Sequence, residues 1–207
     1  MSNMCMYGET NAIFRTLLLF CLGGISGWLS AVLYESADLL YSTPTLPFLL
    51  WPGAVFGVFA ALLALFNKKP WWHGLPWLAG SSMSFFAAWW TAGWVVGKLG
   101  AHGLCVGVFC EALAFGAAGF VGSFILFLTL LCTQRTWLLK SLWVLVLPLS
   151  VYPALLTGVM TTEWNYFVMV LMCVWQAYAL VALDVLFRGC ARQGNTAPST
   201  KYNGESH

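Results

Sequence analysis

The sequence predicts an all-α, polytopic integral membrane protein, a bundle of about six transmembrane helices with both termini in the cytoplasm. Of its 207 residues, 60% are hydrophobic and only 8% are charged, whereas soluble domains carry about a quarter charged residues. The chain contains six apolar runs, and a membrane span requires about 20 apolar residues. Its basic residues also fall in alternate loops, which indicates an orientation.

The charged residues are too few for a soluble protein. Nine Lys and Arg with seven Asp and Glu cannot cover a globule of this size, so the lipid bilayer is the expected partner. The net charge of +2 provides no basic face for nucleic acid, and the aromatic residues lie in apolar runs. No internal polar stretch is long enough to fold separately, so residues 1–187 are predicted to form one membrane domain.

The first predicted helix covers residues 12–34. A signal peptide is the alternative, because Arg15 precedes an apolar run, but the run is long for one and no convincing cleavage site follows it. A retained helix is therefore favoured. The other five predicted helices cover 48–66, 77–96, 104–132, 138–160 and 165–187. The fourth exceeds the length of a span, which indicates a helix that is tilted or partly interfacial.

Residues 188–207 are predicted to form a disordered cytoplasmic tail, because they are rich in Gly, Ser, Thr and Asn and lack an apolar period.

Basic residues predict the orientation of the bundle. Six helices place the N-terminus, the second and fourth loops and the tail on one side. Eight of the nine Lys and Arg fall there, namely Arg15, Lys68, Lys69, Arg135, Lys140, Arg188, Arg192 and Lys201. Lys98 lies on the other side. Because short cytoplasmic loops accumulate Lys and Arg, this split predicts cytoplasmic termini, and the plasma (inner) membrane is the expected location.

Glu111 is the first candidate site residue, because a carboxylate inside a membrane segment often marks an ion or substrate route. Gly107, Ala118 and Gly122 share its helix face, which is small enough to approach another helix closely. The alternative is a glutamate near the outer helix end that simply reaches water.

The sixth predicted helix carries two further polar positions. Gln176 lies close to mid-span, where its amide needs a partner, either across a helix interface or in a wet cavity. Asp184 precedes Arg188 by four residues near the cytoplasmic end, so the two are predicted to form a structural ion pair on one face.

The third and fifth predicted helices supply the remaining candidates. Ser84, Trp89 and Trp90 belong to a mixture of hydroxyls and aromatic rings that suits a pocket for a flat or amphipathic ligand, and equally suits helix packing. Tyr152 lies between Pro148 and Pro153, which free backbone carbonyls, and broken helices often border transport sites. Four tryptophans are predicted deep in the bundle: Trp28, Trp89, Trp90 and Trp175.

The sequence contains no motif for a catalytic or metal centre. The predicted loops separate His73 from His102, and His207 ends the chain, so no metal site is predicted. Any cofactor is unknown from the sequence. Cys105 and Cys110 are close in sequence near a helix end, without an assignable redox role.

The leading functional hypothesis is therefore non-enzymatic binding or transport of a small solute. The alternative is an accessory, assembly or scaffolding subunit, with a partner membrane subunit or a second copy of the chain. A polar-lined cavity near Gln176 favours the first hypothesis. Solid packing there, with a small-residue groove facing lipid, favours the second.

Overall fold

The computed structural model describes residues 2–40, 46–67, 69–103, 108–133, 142–159 and 164–194. Within these ranges the chain is all-helical and contains no strand. Its six α-helices are α1 (Ser2–Leu40), α2 (Leu46–Phe66), α3 (Gly74–Ala101), α4 (Val108–Thr133), α5 (Leu147–Val159) and α6 (Trp164–Gly194). A 3₁₀ turn at Trp71–His73 precedes α3, and a π-helical turn at Leu142–Val146 precedes α5. The described helices fit the predicted number.

Three of the described segments are long and apolar enough to cross a membrane. They are Ala12–Leu33 in α1, Val108–Thr133 in α4 and Tyr166–Arg188 in α6. Two shorter apolar helices cover Leu50–Phe66 and Trp143–Thr157. Helix α3 is long enough by length, but its serines, glycines and tryptophans lower its hydropathy, and it is not among the three.

Several observed bounds differ from the predicted ones. Helix α1 begins at Ser2, ahead of the predicted start at residue 12. Helix α6 continues to Gly194, so the first residues of the predicted disordered tail are helical, and residues 195–207 lie outside the described ranges. The fifth predicted helix is divided, because the π-helical turn ends where α5 begins, one residue before Pro148.

The six helices follow one another around the bundle. Each of α1 to α5 packs against the next helix in the chain, and α6 packs extensively on α1 and closes the circuit. The contacts of α6 with α5 and with α2 are much sparser. The seam between α5 and α6 is therefore the loosest junction between consecutive helices in the described structure.

Two glycines allow α1 to approach α6 closely. A β-carbon at Gly23 would overlap the Cα of Ala177, and one at Gly27 would overlap the carbonyl oxygen of Met172. The two glycines are one helical turn apart on α1, so their shared face meets the α6 backbone directly. Small residues at such positions are typical of helix packing in membranes.

The bundle has a densely packed half and a more open half. The packed half contains the larger core cluster, in which side chains such as Trp77, Leu126, Leu145, Leu183 and Phe187 are almost fully buried. The bundle exterior is strongly apolar: Phe14, Phe66 and Leu155 are 67%, 78% and 64% exposed. A soluble monomer rarely exposes so much contiguous apolar surface.

Candidate functional site: an aromatic cavity and a buried charge cluster

A half-open cavity of about 110 Å³ lies among five of the six helices, α2 to α6. Its largest wall residues are Phe56, Phe85, Trp89, Phe115, Met172 and Trp175. It occupies the half of the bundle in which α2, α4 and α6 begin, because its lining residues come early in these helices. The core cluster separates it from the opposite end of the bundle.

The serines of α3 contribute little polarity to the cavity wall. Ser81 Oγ donates to the carbonyl oxygen of Trp77 at 2.5 Å, and Ser84 Oγ donates to the carbonyl oxygen of Gly122 at 2.7 Å. Both hydroxyl hydrogens are therefore used by backbone acceptors, the second across the α3–α4 interface. The surface left facing the cavity is predominantly aromatic and aliphatic, so the cavity beside Gln176 is not the polar-lined one that was expected for a solute site.

Gln176 borders the cavity and also joins three helices. Its Oε1 accepts a hydrogen bond from Ser26 Oγ at 2.6 Å, and its Nε2 donates to Ser30 Oγ at 3.0 Å. Ser30 Oγ in turn lies within donating distance of the carbonyl oxygens of Ser26 and Pro52, at 2.9 and 3.0 Å. All three side chains are buried. The amide that the sequence places at mid-span is therefore held by α1 and linked to α2 through Ser30.

The aromatic wall is held by ring contacts. Phe56 and Trp175 meet edge to face, with ring centroids 5.9 Å apart, and Phe115 packs against Phe167 at 5.0 Å. Such pairs fix ring orientations and contribute beyond the area that they bury. The cavity therefore has preformed aromatic walls on α2, α4 and α6.

The structure brings together three of the six predicted ligand-site residues: Gln176, Ser84 and Trp89 all line the cavity. Trp90 is 66% exposed on the outer face of α3, where it stacks on Phe86. Glu111 is exposed in the first turn of α4 and is not among the lining residues.

Tyr152 lies beside the cavity rather than in its wall. Its hydroxyl donates to the carbonyl oxygen of Val170 across the α5–α6 seam, at 3.4 Å. Of the other tryptophans predicted to be deep, Trp175 lines the cavity, whereas Trp28 is 50% exposed. Cys110 is buried with a free thiol, and Cys105 lies outside the described residues.

A buried charge cluster occupies the other end of the bundle. Asp184 is completely buried, and Arg188 Nη2 lies 2.8 Å from its Oδ2. Arg15 on α1 makes a second ion pair with Asp184: Nη2 contacts Oδ1, and Nε lies 3.2 Å from Oδ2. Asn67, directly after α2, accepts from Arg15 Nη2 at 3.0 Å. The cluster therefore ties together α1, α2 and α6.

The sequence indicated only the Asp184–Arg188 part of this cluster. Arg15 is the only Lys or Arg in the first predicted helix, and Asn67 follows the second predicted helix directly. A charged residue in an apolar helix needs a partner, so the position of Arg15 was the signal that could have identified it as part of a cluster. The partner itself was not visible, since Arg15 and Asp184 are 169 positions apart in sequence.

No protein-family model, curated protein or solved structure matches this chain. Function is therefore inferred from the chemistry of the cavity and of the charge cluster.

Proposed function

We propose that the chain crosses the plasma (inner) membrane six times with both termini in the cytoplasm, and that its cavity binds a small, largely apolar molecule for storage or transport. The observation that carries this proposal is the aromatic, half-open cavity of about 110 Å³ among five helices. Ligand sites are typically concave and mostly apolar, with few polar groups that orient the ligand.

The helices and the surface support the membrane arrangement. Three segments have the length and hydropathy of spans, and two further helices are apolar. The exposed side chains around the bundle are large and apolar, as lipid contact requires. The biased distribution of Lys and Arg supports cytoplasmic termini.

The cavity dimensions indicate the chemical class of the ligand. An engineered apolar protein cavity of roughly 150 Å³ binds benzene, so a somewhat smaller space suits an aromatic ring or a short branched alkyl group. Larger molecules would extend through the open side. The absence of charged residues from the lining disfavours an ion, because the desolvation of a charge would not be offset.

An accessory subunit is the second candidate function, and the outer face of α3 is the observation that favours it. Gly93 and Gly97 are one turn apart and have no neighbouring atoms within 4 Å of an added β-carbon. Trp90 and Trp94 on the same half of α3 are 66% and 60% exposed. A partner membrane helix or a second copy of the chain would find a close-approach surface there.

Thermal unfolding of the purified full chain tests the proposal. The probes are benzene, indole and short-chain alcohols, and a ligand should raise the Tm of the parent chain. Ala118→Leu and Ala92→Leu fill the cavity from two walls and should abolish the rise. Glu111→Gln, outside the cavity, should retain it.

The opposite result would overturn the cavity as the functional site. A Tm that none of these probes changes, together with a membrane protein that copurifies in fixed ratio, would support the accessory-subunit alternative. A response that persists in both filled variants would place the ligand elsewhere.

A further inference from the structure

We propose that the Arg15–Asp184–Arg188 cluster binds a phosphate group, and that the headgroup of an anionic phospholipid supplies it. Two guanidinium groups contact one buried carboxylate, so the cluster carries one uncompensated positive charge. An uncompensated charge at a partly buried site attracts a counter-ion.

The geometry assigns the excess charge to Arg188. Arg15 meets both carboxylate oxygens of Asp184 through Nε and Nη2, and its Nη2 also donates to Asn67. Arg15 and Asp184 therefore form a neutral unit with several hydrogen bonds. Arg188 contacts Asp184 through Nη2, and its Nε is buried without an acceptor among the described residues. The buried Nε is out of reach of an external anion, so the donors that remain for one are on the Nη atoms of Arg188 and on Nη1 of Arg15.

The exposure of the arginines leaves room for an external group. The side chains of Arg15 and Arg188 are 37% and 36% exposed, whereas Asp184 is 1% exposed. An approaching anion would thus meet two guanidinium groups and no accessible carboxylate. The planar fork of arginine donors matches the oxygens of a phosphate group.

The position of the two arginines along their helices favours a lipid as the source of the phosphate group. Arg188 ends the apolar segment of α6, and Arg15 lies three residues inside that of α1. Trp71 and Trp72, on the turn between α2 and α3, are 70% and 55% exposed, and tryptophan favours the interface. With the proposed membrane insertion, the guanidinium groups lie at headgroup depth, where basic pockets between helices bind anionic lipids.

Among the described side chains at this end, Asp184 is the only acidic one. Among the residues with described side chains, the ionised groups at this end are Arg15, Lys69, Arg188 and Asp184, while Lys98 and Glu111 belong to the opposite end. The proposal rests on membrane insertion but is independent of the cavity ligand, so the two can fail separately.

The test compares phosphatidylglycerol with phosphatidylcholine of identical acyl chains. The detergent-solubilised full chain is titrated with each lipid, and binding is measured by native mass spectrometry. Both lipids contain phosphate, but only phosphatidylglycerol has a net negative headgroup. The parent chain should bind phosphatidylglycerol about tenfold more tightly, since a charge-assisted hydrogen bond contributes about this factor.

Three variants test whether Arg188 causes the preference for phosphatidylglycerol over phosphatidylcholine. Arg188→Gln removes the excess charge and leaves the Arg15–Asp184 unit intact, so the preference should fall to about one. Arg188→Lys retains the charge and should retain most of the preference. Lys98→Gln removes the same charge from the opposite end and should leave the preference unchanged.

A second arm distinguishes lipid from free phosphate. If inorganic phosphate raises the Tm of the parent chain but not of Arg188→Gln, and no preference between the lipids exists, the phosphate group comes from solution and the lipid source is wrong. Equal lipid binding without a phosphate response in the parent chain would overturn the site. A preference that survives in folded Arg188→Gln would also overturn it.

Discussion

Tyr178 donates a hydrogen bond of 2.7 Å to the carbonyl oxygen of Val144, whose α-helical partner would be the N–H of residue 148. Residue 148 is proline, which has no N–H. The tyrosine on α6 thus donates to a carbonyl inside the π-helical turn Leu142–Val146, and replaces the α-helical donor that the proline removes. Together with Tyr152, which donates to Val170, it joins the loosely packed seam between α5 and α6.

We expect Tyr178→Phe to lower the free energy of unfolding by about 1–2 kcal/mol, because it leaves a partly buried carbonyl without this donor. Pro148→Ala restores a backbone N–H to the same carbonyl, so the loss should be smaller in that background. A double-mutant cycle of denaturant unfolding in detergent measures the coupling. Tyr166→Phe, on a ring that is 58% exposed, is the control. Equal losses in both backgrounds would refute the compensation.

Gly27 and Gly24 provide a matched pair on α1. We expect Gly27→Ala to destabilise the bundle by about 1–3 kcal/mol, because the new methyl group overlaps the α6 backbone. Gly24→Ala meets no atom within 4 Å and should be neutral or stabilising by up to about 1 kcal/mol through helix propensity. Unfolding of the two variants, side by side, tests the α1–α6 contact. Similar stabilities would contradict the observed close approach.

We expect the loss of the Asp184 charge to destabilise the bundle far more than the loss of the Arg188 charge. Asp184→Asn leaves two arginines without their counter-charge and should destabilise by about 3–5 kcal/mol, as removal of one partner from a buried pair does. Arg188→Gln leaves Asp184 paired with Arg15, so the loss should be below about 1 kcal/mol. Unfolding midpoints of both variants measure the difference. A comparable loss in both would show that Arg188, rather than Arg15, neutralises the carboxylate.

Apolar runs predicted the helices well, because span length depends on composition rather than on tertiary contacts. They did not predict which face of each helix points inward. Trp89 and Trp90 are neighbours in sequence, yet the first lines the cavity and the second is 66% exposed. In lipid, both faces of a helix are apolar, so the alternation that distinguishes core from surface in water is weak.

Polar residues were informative where both partners lie on one helix. The spacing of Asp184 and Arg188 indicated their pair, whereas Ser26 and Gln176 are 150 positions apart and their bond depends on the α1–α6 packing. Glu111 shows the opposite problem. The predicted fourth helix placed it inside a span, and Glu111 belongs to the apolar segment Val108–Thr133, but it is exposed in the first turn of α4. The apolar run did not distinguish a position near a helix end from one at mid-span.

Helix α3 provides the most demanding test of the proposed orientation, since its hydropathy does not by itself place it among the spans. Lys69 precedes it and Lys98 lies in its last turn. If α3 crosses the membrane with cytoplasmic termini, we expect Lys98→Cys to react with an impermeant maleimide on intact cells, and Lys69→Cys to react only after permeabilisation. The parent chain, with its native cysteines, gives the background.

Labelling of both positions from the same side would show that α3 does not cross, and labelling of Lys69→Cys alone would reverse the orientation. Because eight of the nine Lys and Arg lie on the predicted cytoplasmic side, the added variant Lys98→Gln increases the positive-inside bias and should leave the labelling of Lys69→Cys unchanged.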